Sequence, residues 1–186
     1  MAAKLMLSPQ IILITGLMAS GKSTVAQHLA ERLSKSVHLR GDVFRRMIVS
    51  GRAEIGYELS EEAHEQLFLR YQIAAGVAVQ YFQAGFTVVY QDIVIGPDLT
   101  QVVSLYGGYS LSVFVLCPTP AVVAAREVAR GKRGYRAQEE INEFDRVLRA
   151  QTPKIGYWLD NSHLTIPETV QVLLSRLPKE NRTGAT

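Results

Sequence analysis

The sequence predicts a three-layer α/β architecture: a five-stranded parallel sheet with helices on both faces. Three observations predict it. Short apolar runs alternate along the chain with longer stretches of helical periodicity. The runs are apolar at nearly every position rather than at every second one, as strands covered on both faces require. The glycine-rich and charged segments fall just after the runs, and ligands of parallel sheets bind at the carboxyl ends of the strands. Apolar residues make up 47% of the 186, ample for the core of one domain of this length. A single domain over 1–186 is therefore expected, with loose ends at about 1–9 and 179–186.

The elements follow in order. Ile11–Thr15 is a buried strand running into a glycine. Val25, Leu29 and Leu33, with Ala26 and Ala30 beside them, form the apolar stripe of a first helix. Val37–Arg40 is a second short strand, and Asp42 opens a helix through Val49. Residues 51–59 form a loop. Ser60 caps a long helix whose first turn carries Glu61 and Glu62, favourable at a helix amino terminus. Its buried face is Leu67, Tyr71, Ala74, Ala75, Ala78 and Phe82, and it ends at about Ala84 before Gly85. Phe86–Tyr90 and Leu111–Leu116 are the third and fourth strands, followed by helices at about 97–106 and 120–130. A helix at about 137–150, a last strand at Tyr157–Leu159 and a helix from Pro167 complete the pattern.

Composition narrows the function classes. A net charge of +3 and an ordinary 20% of charged residues argue against disorder, and against a chain built mainly to neutralise nucleic acid. The sole cysteine, Cys117, allows no internal disulfide. Set between the apolar run SVFVL and Pro118, it reads as an inert buried thiol. No run reaches the roughly 18 apolar residues of a membrane span. Pro9 interrupts the signal-like start, so a cytoplasmic location is expected.

The strongest motif is Gly16-Leu17-Met18-Ala19-Ser20-Gly21-Lys22-Ser23, followed by Thr24. It matches GxxxxGK[ST], a spacing that chance produces in roughly one chain of this length in a hundred. The required strand before it and helix after it are present. Its glycines let the backbone curl so that N–H groups point at phosphate, and the start of the helix adds positive potential. Lys22 reaches the β- and γ-phosphates and the Ser23 hydroxyl ligates Mg²⁺. ATP and Mg²⁺ are the expected cofactors, and the fold class becomes the three-layer P-loop NTPase fold of the nucleoside-kinase kind.

Two carboxylates stand out. Asp92, after the apolar run TVVYQ, is placed as the acid that helps hold Mg²⁺, directly or through water; a turn aspartate is the competing reading. Asp42 follows the second strand at the start of a helix. Near a γ-phosphate it would accept the proton of an attacking hydroxyl, whereas the plainer reading is a helix cap. Arg45 and Arg46 follow at i+3 and i+4, able to grip a polar acceptor or merely to face solvent. The long helix adds Phe68, Tyr71 and Phe82 as apolar lining.

Residues 126–136 read REVARGKRGYR. Arg126 and Arg130 share a helical face, and Arg133 follows in a glycine-flanked loop. Phosphoryl transfer spreads negative charge over the moving group, so a mobile lid carrying these cations would stabilise it. His28, His38, His64 and His163 lack zinc spacing with a cysteine and read as structural, as does Trp158.

The phosphate loop, LRGDVFRRM, VVYQDIVIG, FVLCPTPAVVAAREVARGKRGY and LDNSHLTIPETVQVLL occur in the order found in small P-loop kinases. Over most of residues 10–178 the chain resembles the chloramphenicol phosphotransferase-like group. That resemblance implies that Asp42 is the base activating the acceptor hydroxyl. It also implies that Arg126, Arg130 and Arg133 are lid arginines, and that Asn161–Leu164 borders the adenine. Leu17-Met18 is bulkier than the serine-rich loop of chloramphenicol kinases, and residues 43–83 carry no match. The resemblance therefore implies the fold and the reaction, with a small-molecule hydroxyl as acceptor, an antibiotic such as chloramphenicol among the candidates. GLMASGKST with LRGD also resembles adenylylsulfate kinase, and shikimate and gluconate kinases share the plan. A nucleotide-dependent switch would not need Asp42, and a nucleic-acid face would need a broad basic stripe with aromatic platforms.

Overall fold

A computed structural model of the chain describes residues 4–56, 59–131, 134–135 and 137–178. Its five strands are β1 (Ile11–Gly16), β2 (Ser36–Arg40), β3 (Thr87–Gln91), β4 (Leu111–Leu116) and β5 (Tyr157–Leu159). They form one sheet in the order β2-β3-β1-β4-β5, parallel throughout. The helices are α1 (Lys22–Arg32), α2 (Asp42–Arg46), α3 (Glu61–Gln83), α4 (Asp98–Ser104), α5 (Pro120–Ala129), α6 (Gln138–Arg146) and α7 (Ile166–Arg176).

Alternation along β1 builds the two cores. Successive side chains of a strand point to opposite faces. Ile11 and Leu13 pack with Leu67, Tyr71 and Ala74 of α3 and with Leu99 and Val102 of α4. Ile12 and Ile14 pack with Val25 and Leu29 of α1 and with Val170 and Leu173 of α7. The ends of β1, β2 and β3 thus converge between α1 and α3, and the phosphate loop, Asp42 and Asp92 project from there.

The caps follow the sequence logic. Ser60 Oγ accepts from Ala63 N at 3.1 Å, and Thr165 and Glu168 form a reciprocal capping box on α7. Differences lie at element ends. The helix from Asp42 stops at Arg46 rather than Val49, because α2 buries none of its residues and Val49 is fully solvent-facing. β3 begins at Thr87, since the Phe86 amide is consumed in the α3 cap, donating to Tyr81 O at 3.0 Å. The helix expected to about 150 widens into a π-turn over Val147–Gln151. There Thr152 Oγ1 donates to Val147 O and accepts from Gly96 N at 2.7 Å.

Part of the amino-terminal segment pairs with the end of α1. Leu5 bridges to Leu33, its amide donating to Arg32 O at 2.8 Å and its carbonyl accepting from Ser34 N at 3.0 Å. Leu7 packs on the α1/α7 core. Residues 1–3 and 179–186 lie outside the described residues. Among the described residues no helix is long and apolar enough to cross a membrane.

Candidate active site

The phosphate loop begins where β1 meets β4. Gly16 has φ +140°, and a Cβ there would stand 2.2 Å from Leu116 O. Both the backbone conformation and the contact demand glycine. Gly16→Ala should lower stability by roughly 2–4 kcal/mol and disorder the loop. Chemical denaturation checks this, and an unchanged midpoint would contradict it.

Ala19 (φ +59°) and Gly21 (φ +98°) continue the curl into α1. Val25 N, bonded to Gly21 O at 2.9 Å, closes the first helical turn. The preceding amides of α1 are the ones that a helix leaves without internal partners. Ser23 and Thr24 are exposed on this turn. Lys22 is buried, its Nζ donating to Leu17 O at 2.7 Å. Burial pushes its pKa down to about 7; Asp92 and Asp42 favour the proton, and Arg130 and Arg70 oppose it. Ser20 Oγ is buried and lacks a hydrogen-bond partner among the described residues. A buried ammonium with weakened charge, beside an unpartnered hydroxyl and a helix start, fits an oligophosphate.

Asp92, at the end of β3, is 4% exposed. Its Oδ1 accepts from Arg70 Nη2 and from Ile93 N, both at 2.8 Å, and its Oδ2 accepts from Tyr90 OH at 3.0 Å. Burial raises the carboxyl's pKa, while Arg70, the Ile93 amide, the Tyr90 hydroxyl and Lys22 pull it down. The carboxylate stands so close to the next strand's end that a Cβ on Gly41 would fall 1.9 Å from Oδ2. This packing sets Asp92 against Gly41, the residue before Asp42.

Asp42 opens α2. Arg46 Nη2 donates to its Oδ2 at 2.8 Å, and Arg40 Nε lies 3.6 Å from Oδ1. Oδ1 is buried without a hydrogen-bond partner among the described residues. Arg45 turns the other way and donates to Ala53 O at 2.7 Å. All three line a cleft of about 620 Å³ that Leu17 and Met18 of the phosphate loop also line. Tyr71 lies in its wall, its hydroxyl donating to Ile93 O at 2.6 Å.

The described residues of the segment expected to form a lid make contacts with the phosphate loop and with each other. Arg126 donates to Ser20 O at 3.1 Å and to Asn161 O at 2.9 Å, tying the phosphate loop to the loop after β5. Arg130 pairs with Glu127 at 2.5 Å, and the Gly134 amide also donates to Glu127. Tyr135 OH donates to Met18 O at 3.1 Å. Arg133 lies outside the described residues.

Sequence reasoning missed two participants, Arg70 and His64. Arg70, 8% exposed, anchors Asp92 and lines the cleft. His64, read as structural, also lines the cleft, its Nε2 3.1 Å from Asp98 Oδ1. Asn161, in the segment the resemblance sets at the adenine, donates from its side-chain amide to Ser20 O at 3.0 Å. Arg70 left a signal: it falls at i+3 from Leu67 and beside Tyr71, a charge inside an apolar stripe. The 34-residue His64–Asp98 pairing left none.

The family model described as AAA domain matches residues 11–153. The chain belongs to the AAA domain family. No curated protein matches it. Among solved structures it is similar to the tunicamycin resistance protein of Deinococcus radiodurans (TM-score 0.67, 19% identity, 92% of this chain and 97% of that one). It is similar to the APS kinase of Mycobacterium tuberculosis solved with AMPPNP and APS (TM-score 0.64, 16% identity, 91% and 97%). A gluconokinase of Sinorhizobium meliloti is a third such structure (TM-score 0.64, 18% identity, 90% and 90%). The fold of this AAA domain protein is thus the α/β P-loop fold on which kinases are built, as the sequence predicts.

Proposed function

We propose that this AAA domain protein is an ATP-dependent phosphotransferase that moves the γ-phosphoryl group to a hydroxyl of a small molecule. The observation that carries this reading is Asp42. A carboxylate oxygen without a hydrogen-bond partner among the described residues lines the same cleft as the phosphate loop, where a general base for an acceptor hydroxyl belongs. A nucleotide switch has no use for such a group.

Each residue has a part. Gly16–Thr24 cradle the phosphates of ATP, with Lys22 as the buried cation. Mg²⁺, when bound, would neutralise charge on the phosphate oxygens. Ser23, exposed on the first turn of α1, fits a direct ligand. Asp92, already accepting three hydrogen bonds, fits a ligand acting through water. Arg126 steadies the loop, and Arg130 and Arg133 supply cations from the lid, Arg130 after release from Glu127. Arg46 orients Asp42, and Arg45, tied to Ala53 O, lines the same cleft.

The cleft suggests the acceptor's character. Ile55, Leu59, Leu67, Tyr71 and Phe144 give it apolar walls. Asp42, Glu54, Asp98 and Glu140 offset Arg45, Arg46 and Arg70. Near-neutral charge over apolar walls favours an uncharged amphiphilic alcohol, an antibiotic such as chloramphenicol included, over strongly anionic acceptors such as adenylylsulfate, shikimate or gluconate.

The test is ADP release with ATP and Mg²⁺ across a panel of such alcohols, anionic acceptors and nucleosides. The expected result is turnover stimulated by an uncharged alcohol, with a product heavier by one phosphoryl group. Slow turnover that no acceptor changes would favour a nucleotide switch instead.

A further inference from the structure

Arg70 is the least expected charge in the molecule. It sits on the buried face of α3, one residue before Tyr71, where helical spacing calls for an apolar side chain. Its side chain is 9% exposed. Burying a guanidinium is costly unless its donors are used. Asp92 takes one, at 2.8 Å on Nη2. Nε is buried and has no hydrogen-bond partner among the described residues. The side chain nonetheless reaches the cleft wall, sharing it with Leu17 and Met18 of the phosphate loop and with Asp42. A planar cation with donors left over, fixed on a rigid helix and braced by a carboxylate, is built to meet an oxyanion.

We infer that Arg70, held in place by Asp92, is an oxyanion-binding residue of the cleft, positioned to take oxygens of the phosphoryl group in transit or of an acidic group on the acceptor. The phosphoryl source is the better match. The field of Arg70 is felt at Lys22, whose proton it opposes, and both cations act on the carboxylate of Asp92. Asp92 then has a second task besides any metal: it positions Arg70 from the end of β3, where Tyr90 OH and the Ile93 amide hold it in turn. The phosphoryl version rests on the phosphotransferase reading; the oxyanion site itself does not.

The experiment has two arms. In the first, calorimetry measures MgADP alone and MgADP with aluminium fluoride, a mimic of the transferring phosphoryl group, on the wild type, Arg70→Met, Arg70→Lys and Arg70→Met/Asp92→Asn. The double variant removes both buried charges, so it keeps the comparison valid if Arg70→Met alone folds poorly. The expected result in Arg70→Met is fluoride-complex affinity about 10-fold weaker or more with MgADP affinity near wild type, and partial recovery in Arg70→Lys; in the double variant, whose MgADP affinity also falls with Asp92, the ratio of fluoride-complex to MgADP affinity drops by the same factor. In the second arm, sulfate is titrated onto Lys22→Met, where the phosphate loop no longer competes, and onto Lys22→Met/Arg70→Met. Sulfate binding lost with Arg70, alongside an unchanged fluoride complex, would assign the site to an acidic group of the acceptor. Affinities unchanged in both arms, or a protein that binds neither oxyanion, overturn the inference. A wild type that ignores MgADP defeats the phosphotransferase reading, while the sulfate arm still decides Arg70.

Discussion

Lys22→Met is expected to weaken ATP binding by about 100-fold or more, a loss of ~2.7 kcal/mol, while raising the melting temperature by several degrees. The two effects share one cause. Lys22 lies almost wholly out of water, with Leu17 O as its recorded hydrogen-bond acceptor. Desolvation outweighs the attraction of Asp92 and Asp42, and the pKa falls from 10.5 to about 7. The unfolded chain keeps this proton up to the ordinary lysine range; the folded chain releases it near neutrality. Between those limits the unfolded state holds more protons, so stability rises with pH across the window, and below it the folded state carries the full cost of the charge. Methionine fills similar space without that cost. Phosphate reverses the balance by supplying the missing counter-charge, so nucleotide binding should take up a proton. Affinity should therefore fall as pH rises above about 7, by up to about tenfold per unit. Calorimetry in buffers of different ionisation enthalpy would read the uptake, and thermal melts would read the stability. A Lys22→Met protein that melts lower and binds ATP like the wild type would dismiss the assignment.

What the sequence disclosed and what it withheld divide along a physical line. Local pattern carried β1, β4 and β5, because a run such as LSVFVL has few alternatives to a buried strand. It carried the Ser60 cap, whose bonding spans three residues, and the phosphate loop, whose chemistry is written in eight consecutive positions. It failed where tertiary packing decides. The helix from Asp42 stops early because no core receives Met47 or Val49, both exposed. Leu5 bridges to Leu33 at the end of α1, a pairing that nothing within residues 4–9 announces. In the site, Asp92 and Asp42 were visible as acids at strand ends. That Asp92 already holds Arg70, Tyr90 and Ile93 N was not, since Arg70 is 22 residues away on another element. The cleft is hardest of all: α2, α3, the loop before α3 and residues 134–135 each contribute part of the wall, and no single segment has a pattern to recognise.

Asp42→Asn should lower acceptor-dependent transfer by about 100-fold or more and leave nucleotide affinity near wild type. The separation follows from position. Asp42 stands on α2, outside the phosphate loop that lines the same cleft, and its polar partners are Arg40 and Arg46. Arg46 fixes one oxygen and leaves the other without a hydrogen bond among the described residues. A buried oxygen without a donor is disfavoured unless a ligand supplies one, and an acceptor hydroxyl is such a donor. In the proposed transfer, the hydroxyl proton would pass to Asp42 as the new O–P bond forms and the bond to the ADP oxygen breaks. Asparagine preserves the size and can still accept from Arg46, but it cannot take that proton. Loss should therefore appear in kcat rather than in the affinity for MgADP. Arg46→Ala offers the contrast: it frees Asp42 without removing the base, and it should cost less than Asp42→Asn in the same assay. Should Asp42→Asn transfer at the wild-type rate, Asp42 is only the cap of a five-residue helix, and the base must be sought among the other acids of the cleft, Glu54, Asp98 and Glu140.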